Sequence, residues 1–173
     1  MTQHLVDLLI SYGAIKFGEF VLTSGKRSNY YIDIKQASTN PRILRMIAKG
    51  MKDYTTGYDV IAGMELGAVP IAVALSLESE KPFVIVRKQE KIHGTKKLIE
   101  GEDVNGKKVL VVEDVTTTGG SVIRAVKILR ENGAIVDKVI TVVDREEEAK
   151  ERLNEENVEL IPLVTKSEIL KKC

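Results

Sequence analysis

The chain has 173 residues, 43% hydrophobic and 29% charged, a formal net charge of +1 and one cysteine, at its last position. That length suits one domain, residues 1–173, with a sizeable core, and near-neutrality gives no electrostatic reason to expect nucleic-acid binding. A lone terminal cysteine leaves no internal disulfide and argues against a metal cluster. No apolar run is long enough to cross a bilayer, and the first residues lack the basic and apolar regions of a signal peptide, so a soluble cytoplasmic protein is expected.

Leu5, Leu8, Leu9 and Tyr12 predict a first helix, ended by Gly13. Glu19–Leu22 and Tyr30–Asp33 read as short strands around a turn at Ser24-Gly25. Asn40-Pro41 opens a helix toward Tyr54, with a capping side chain and a proline in the first turn. Strands then alternate with helices. Strands are expected at 59–62, 83–86, 109–113, 139–143 and 158–161. Helices are expected at 69–77, 119–132, 146–154 and 166–171. Nearly continuous apolar strands separated by helices imply an α/β fold, a parallel sheet covered on both faces. Ligands of such sheets bind at the carboxyl ends of strands, and Asp114 and Asp144 are both expected to end strands at one crevice.

The most informative segment runs from Lys108 to Val122, where an apolar, β-branched run ends in Glu113-Asp114. Thr116, Thr117, Thr118, Gly119, Gly120 and Ser121 follow and lead into a helix. Threonine hydroxyls and backbone N–H groups at a helix start suit phosphate oxygens, and glycines let the backbone come close. The two acids suit sugar hydroxyls or a metal, not the phosphate. Together they describe a ribose 5-phosphate. Residues 101–108 imitate a Walker A loop, but the stretch ends in Lys108 and precedes its strand instead of following it. Asn105-Gly106-Lys107 reads instead as a turn.

Three other clusters carry chemistry. The window 87–97 holds five lysines or arginines against one acid, without helical or strand periodicity. It reads either as a solvated loop or as a lid that brings cations to a polyanion. Residues 24–33 combine small polar residues, Lys26, Arg27, Tyr30 and Tyr31. They form either a plain hairpin or a platform for a flat anionic ring. Asp144-Arg145 ends a strand, where an arginine facing the crevice is a natural partner for a carboxylate. Glu65–Pro70 follows another strand and offers a further diphosphate-facing loop.

In this order the clusters resemble the orotate phosphoribosyltransferases of the type I phosphoribosyltransferase family, in their short single-function form, from about Phe17 to Arg145. Residues 113–121 resemble the superfamily's signature for 5-phosphoribosyl 1-diphosphate (PRPP), while the Ser24–Tyr30 segment and the Arg87–Gly94 loop resemble the orotate enzymes. The resemblance implies a parallel sheet flanked by helices, with residues 1–40 forming a hood over the base site. It implies transfer of phosphoribose from PRPP to orotate, giving orotidine 5′-monophosphate and diphosphate in pyrimidine biosynthesis. By position, Glu113 and Asp114 hold the ribose hydroxyls, and Val115, Thr116, Thr117, Thr118, Gly119, Gly120 and Ser121 cradle the 5-phosphate. Arg87, Lys88, Lys91 and His93 take the diphosphate, with Lys91 and Asp114 catalytic. Thr117, Arg145, Lys26 and Tyr31 take orotate. Magnesium is expected on ligand oxygens, with no dedicated protein cage. The partners implied are the two substrates and a second copy sharing the lid. The chain departs from many relatives at Thr23 and Gly67, where they carry lysine.

Two rivals remain. A purine phosphoribosyltransferase is disfavoured by the Ser-Gly and tyrosine segment. A PRPP-sensing regulator needs a nucleic-acid-binding surface, for which the residues before Phe20 are too few to add a helix-turn-helix.

Overall fold

The computed structural model describes residues 2–21, 27–89 and 97–172. Helix α1, Thr2–Ser11, buries Leu5, Val6 and Leu9. Gly13, at φ 72°, reverses the chain, a conformation that glycine adopts freely. Strand β1, Ile15–Val21, starts earlier than the pattern suggested and pairs antiparallel with β2, Arg27–Ile32. The expected turn at Ser24-Gly25 lies outside the described residues. Asp33 N–H donates to Ala14 O at 2.7 Å and closes the base of this hairpin.

Asp33 also caps a five-residue helix, α2, Ile34–Ser38, which the sequence pattern did not predict. Helix α3, Pro41–Met51, starts as expected: Asn40 Oδ1 accepts the N–H groups of Arg42 and Ile43. It ends earlier than expected, and Lys52–Thr55 tightens into a 3₁₀ turn.

The remaining elements are β3 (Val60–Met64), α4 (Val69–Ser79), β4 (Phe83–Val86), β5 (Ile99–Glu100), β6 (Val109–Thr116), α5 (Gly120–Glu131), β7 (Lys138–Asp144), α6 (Ala149–Glu155), β8 (Glu159–Thr165) and α7 (Lys166–Leu170). Their sheet has the order β5-β4-β3-β6-β7-β8. It is parallel except for β5, which lies antiparallel on β4. The expected parallel sheet thus carries one short antiparallel edge strand, β5, whose two residues are too few to show a period. Pro162 sits in β8, at a sheet edge, where a missing N–H costs least.

Alternation along β6 divides the core. Leu110 and Val112 join a cluster with Ile43, Ile47 and Leu75 from α3 and α4. Val109 and Val111 join another with Val122, Val126 and Leu129 from α5. Burial on both faces explains the unbroken apolar run. The strand order reverses beside β3, whose neighbours are β4 and β6. That switch point, at the carboxyl ends of β3 and β6, is where such sheets open a crevice.

Candidate active site

Strand β6 carries the two acids through the switch point. Adjacent residues of a strand point to opposite faces, so Glu113 follows Val111 toward α5 and Asp114 follows Val112 toward the loop after β3. Strand β6 runs on to Thr116, two residues past the end expected at Asp114. Both acids line a cavity of about 290 Å³ with Glu65, Gly67, Lys35, Lys88 and Ser121. Glu113 Oε1 accepts the Asp114 N–H at 3.0 Å, and Asp114 Oδ1 accepts the Val115 N–H at 2.8 Å. Burial, then the neighbouring Asp114 charge, pushes the Glu113 carboxyl up to about 8, against an opposing pull from Lys88.

A second cavity, of about 310 Å³, is lined by Glu113 and by Val115 through Val122. Here the chain turns from β6 into α5 through Gly119 at φ 77°. A Cβ at Gly119 would also stand 3.2 Å from Ala149 Cα, so the position has two reasons to be glycine. The loop is held from behind: Ala149 N–H donates to Thr117 O at 3.2 Å, and Arg152 donates to Thr118 O at 2.7 Å. The first N–H groups of α5 have no intrahelical acceptor, and the helix dipole favours an anion there. The loop expected to cradle a phosphate is thus concave and backed by hydrogen bonds to Ala149 and Arg152.

Strand β7 ends at Asp144, whose Oδ1 accepts the buried Thr116 hydroxyl at 2.9 Å and the Glu146 N–H at 3.2 Å. This fixes the next residue. Arg145 N–H donates to Thr116 O at 2.9 Å, and its guanidinium lies 5.0 Å from the ring centre of Tyr30. Arg145 Nε is 3.5 Å from Glu147 Oε1, yet has no hydrogen-bond partner among the described residues although it is buried. Arg145, Tyr30, Ser28, Arg27 and Lys166 border a cavity of about 870 Å³. Arg27, Ser28 and Tyr30 of the hairpin thus form one wall of that cavity. The hairpin's strand alternation puts Tyr30 inward. Tyr31, the residue expected at the base, is half-exposed and meets Phe20 with ring centres 5.7 Å apart. Tyr30 rather than Tyr31 is the β2 tyrosine at Arg145.

Arg87 and Lys88 follow β4. Arg87 pairs with Glu100 at 3.4 Å, and its Nε is buried without a hydrogen-bond partner. Lys88 donates its backbone N–H to Glu65 Oε1 at 2.5 Å. Lys26, Lys91 and His93 lie outside the described residues. No local sequence pattern marks Lys35 as a lining residue, whereas the Glu65–Pro70 loop singled out in the sequence does border the cavity beside Asp114, through Glu65 and Gly67. A side chain added at Gly67 would collide with the Asp114 carboxylate. Among the described residues no group of three or more His, Cys, Asp or Glu could hold a metal. No helix among them is long and apolar enough to cross a membrane.

The strand–acid–acid–threonine loop at the switch point has a family counterpart. Residues 34–162 match the phosphoribosyl transferase domain, and the chain belongs to that family. An orotate phosphoribosyltransferase of Pyrococcus horikoshii is 61% identical over 175 residues, covering 99% of this chain and 94% of its own. The crystal structure of the orotate phosphoribosyltransferase from Aeropyrum pernix superposes with a TM-score of 0.87 at 34% identity, covering 97% of each chain. That of Mycobacterium tuberculosis, in complex with PRPP, gives 0.81 at 32% identity, covering 97% of this chain and 98% of the other. Within the family the chain stands with the orotate phosphoribosyltransferases.

Proposed function

We propose that this protein transfers the phosphoribosyl group of PRPP to orotate, giving orotidine 5′-monophosphate and diphosphate. The observation that carries this reading is Arg145. It follows the strand next to the phosphate loop and lies against Tyr30 with a buried Nε that makes no hydrogen bond among the described residues, lining a cavity with the hairpin's Arg27, Ser28 and Tyr30. A carboxylate on a flat ring answers that arginine.

PRPP lies across the switch point. Its 5-phosphate takes the loop from Val115 to Ser121, with Thr116, Thr117 and Thr118 offering hydroxyls. Asp114 and Glu113 accept the ribose hydroxyls. Arg87, Lys88, Lys91 and His93 face the diphosphate. Orotate takes Arg145 and Tyr30, with Thr117 and Lys26 beside it. Among the described residues no third His, Cys, Asp or Glu joins Glu113 and Asp114 in a metal-holding group, which suits magnesium held mainly by substrate oxygens. When bound, the ion screens the diphosphate charge.

Breaking the C1–O bond sends its electron pair onto diphosphate and leaves an oxocarbenium-like sugar, which the orotate nitrogen captures. The protein supplies no nucleophile. It positions the reactants, stabilises the leaving charge and excludes water. The reading includes a homodimer that shares its lid and a cytoplasmic setting. The dimer rests on the resemblance alone. The setting rests on the single cysteine and on the lack of a membrane-length helix among the described residues.

The test is turnover with PRPP and magnesium against orotate, adenine, guanine and hypoxanthine in turn. Diphosphate release with orotate alone is expected. Release with a purine and none with orotate would reassign the enzyme.

A further inference from the structure

The cavity beside Asp114 is lined by acids, of which Glu113 is kept neutral by burial and the Asp114 charge. Three carboxylates border it: Glu65, Glu113 and Asp114. A second polyanion entering there needs cations that are not already neutralised. Of the cations on its wall, Lys88 follows β4, anchored through its backbone N–H to Glu65, with its charge acting on Glu113. The loop after β3 contributes none: Gly67 has no side chain, and a Cβ there would require the Asp114 carboxylate to shift. The remaining cation is Lys35.

Lys35 lies on α2, which packs against β6. The capping bond from Gln36 N–H to Asp33 fixes where this short helix starts, directly after the hairpin. Ile34 and Ala37 are buried beneath it, so the helix is anchored while Lys35 stays exposed at the cavity mouth. Among the described residues Lys35 has no ion pair and no side-chain hydrogen bond. A long, anchored, unpaired lysine at the rim of an acid-lined cavity has two readings. In one it is an ordinary solvated surface charge. In the other it is a cation held ready for a ligand. In the second, α2 supplies a charge that Gly67 does not.

We infer that Lys35 is a PRPP-binding residue, its ammonium meeting the diphosphate oxygens from α2. The residue belongs to the binding of diphosphate in substrate and product alike. It does not belong to orotate, whose cavity at Arg145 has a different lining. This rests on the proposed transfer reaction, so the test has a reading that does not depend on turnover.

The experiment compares Lys35→Met and Lys35→Arg with the unaltered protein. Calorimetric titration with magnesium diphosphate needs no base and no reaction. Loss of a charge-assisted contact should weaken that binding and raise the PRPP KM by about tenfold or more. The orotate KM should stay within about twofold, and Lys35→Arg should recover most of the binding. Equal diphosphate affinity in the unaltered protein and Lys35→Met would overturn the assignment. A Lys35→Met effect on orotate KM with PRPP KM unchanged would overturn it too. If the unaltered protein binds diphosphate but turns over no orotate, the transfer reading fails while the Lys35 titration still stands or falls by itself.

Discussion

Arg145 and Glu113 show how single side chains divide the work of the crevice. Arg145→Ala removes a guanidinium that is largely buried, against Tyr30, and lies away from the phosphate loop's own lining. Removing one charge-assisted carboxylate contact costs on the order of 2–5 kcal/mol. Orotate use should fall accordingly, while calorimetry should find PRPP binding intact. Loss of PRPP binding with a normal orotate KM would place Arg145 elsewhere in the mechanism. Glu113 makes a different statement, about pH. Its carboxyl moves from an ordinary 4.5 to about 8 on folding, because burial and Asp114 both disfavour its charge. The folded chain therefore holds that proton more tightly than the unfolded chain. The resulting stabilisation is complete below about 4.5 and is lost as pH rises through about 8. Glu113→Gln keeps the shape and cannot ionise. Thermal melts of the ligand-free protein should show the variant gaining on the unaltered chain as pH rises across that window, by a few kcal/mol at most. A constant difference at every pH would mean that Glu113 is not held neutral.

At the scale of elements, the turn from β6 into α5 bears the greatest geometric demand. Gly119→Ala forces a side chain into the left-handed region and toward Ala149. The conformational cost alone is roughly 1–2 kcal/mol. Denaturant unfolding should register that loss, and the PRPP KM should rise because the cradle has moved. An unchanged PRPP KM in a destabilised variant would separate the loop's fold from its binding. This turn was legible in the sequence because strand, acids, threonines and glycines are contiguous, so local chemistry and tertiary position coincide. The helix starts at Asn40 and near Gly119 were legible for the same reason. Tyr30 and Tyr31 were not distinguishable, since two adjacent tyrosines alternate faces and only the hairpin's packing decides which turns inward. Helix α2 and strand β5 escaped because five and two residues are too short to show a period. Lys35 escaped because its value depends on a cavity built by β3 and β6, far away in sequence.

The whole molecule gathers four segments at one end of a sheet: the hairpin with α2, the loop after β3, the end of β6 and the end of β7. All of them except α2 were visible separately in the sequence. Their convergence follows from the strand order, which places β3 and β6 side by side although α4, β4 and β5 intervene between them in the chain. If the proposed dimer shares its lid, two dead subunits can mend each other. Lys91→Ala spoils the lid, and Asp114→Asn spoils the floor by giving a ribose hydroxyl a poorer acceptor. After subunit exchange, a mixed dimer has one crevice with both parts intact, and turnover should exceed the sum of the two variants. Turnover no greater than that sum, with exchange confirmed by mass, would mean that each lid serves its own subunit.

The central claim is spatial: one crevice takes the sugar phosphate at Glu113 through Ser121 and the base at Arg145. A crystal structure with orotidine 5′-monophosphate tests it most directly. The account predicts the phosphate against residues 116–121, the ribose hydroxyls at Asp114 and Glu113, and the pyrimidine carboxylate on the Arg145 guanidinium beside Tyr30. A nucleotide bound with its pyrimidine away from Arg145, or with its phosphate outside the loop that opens α5, would contradict it.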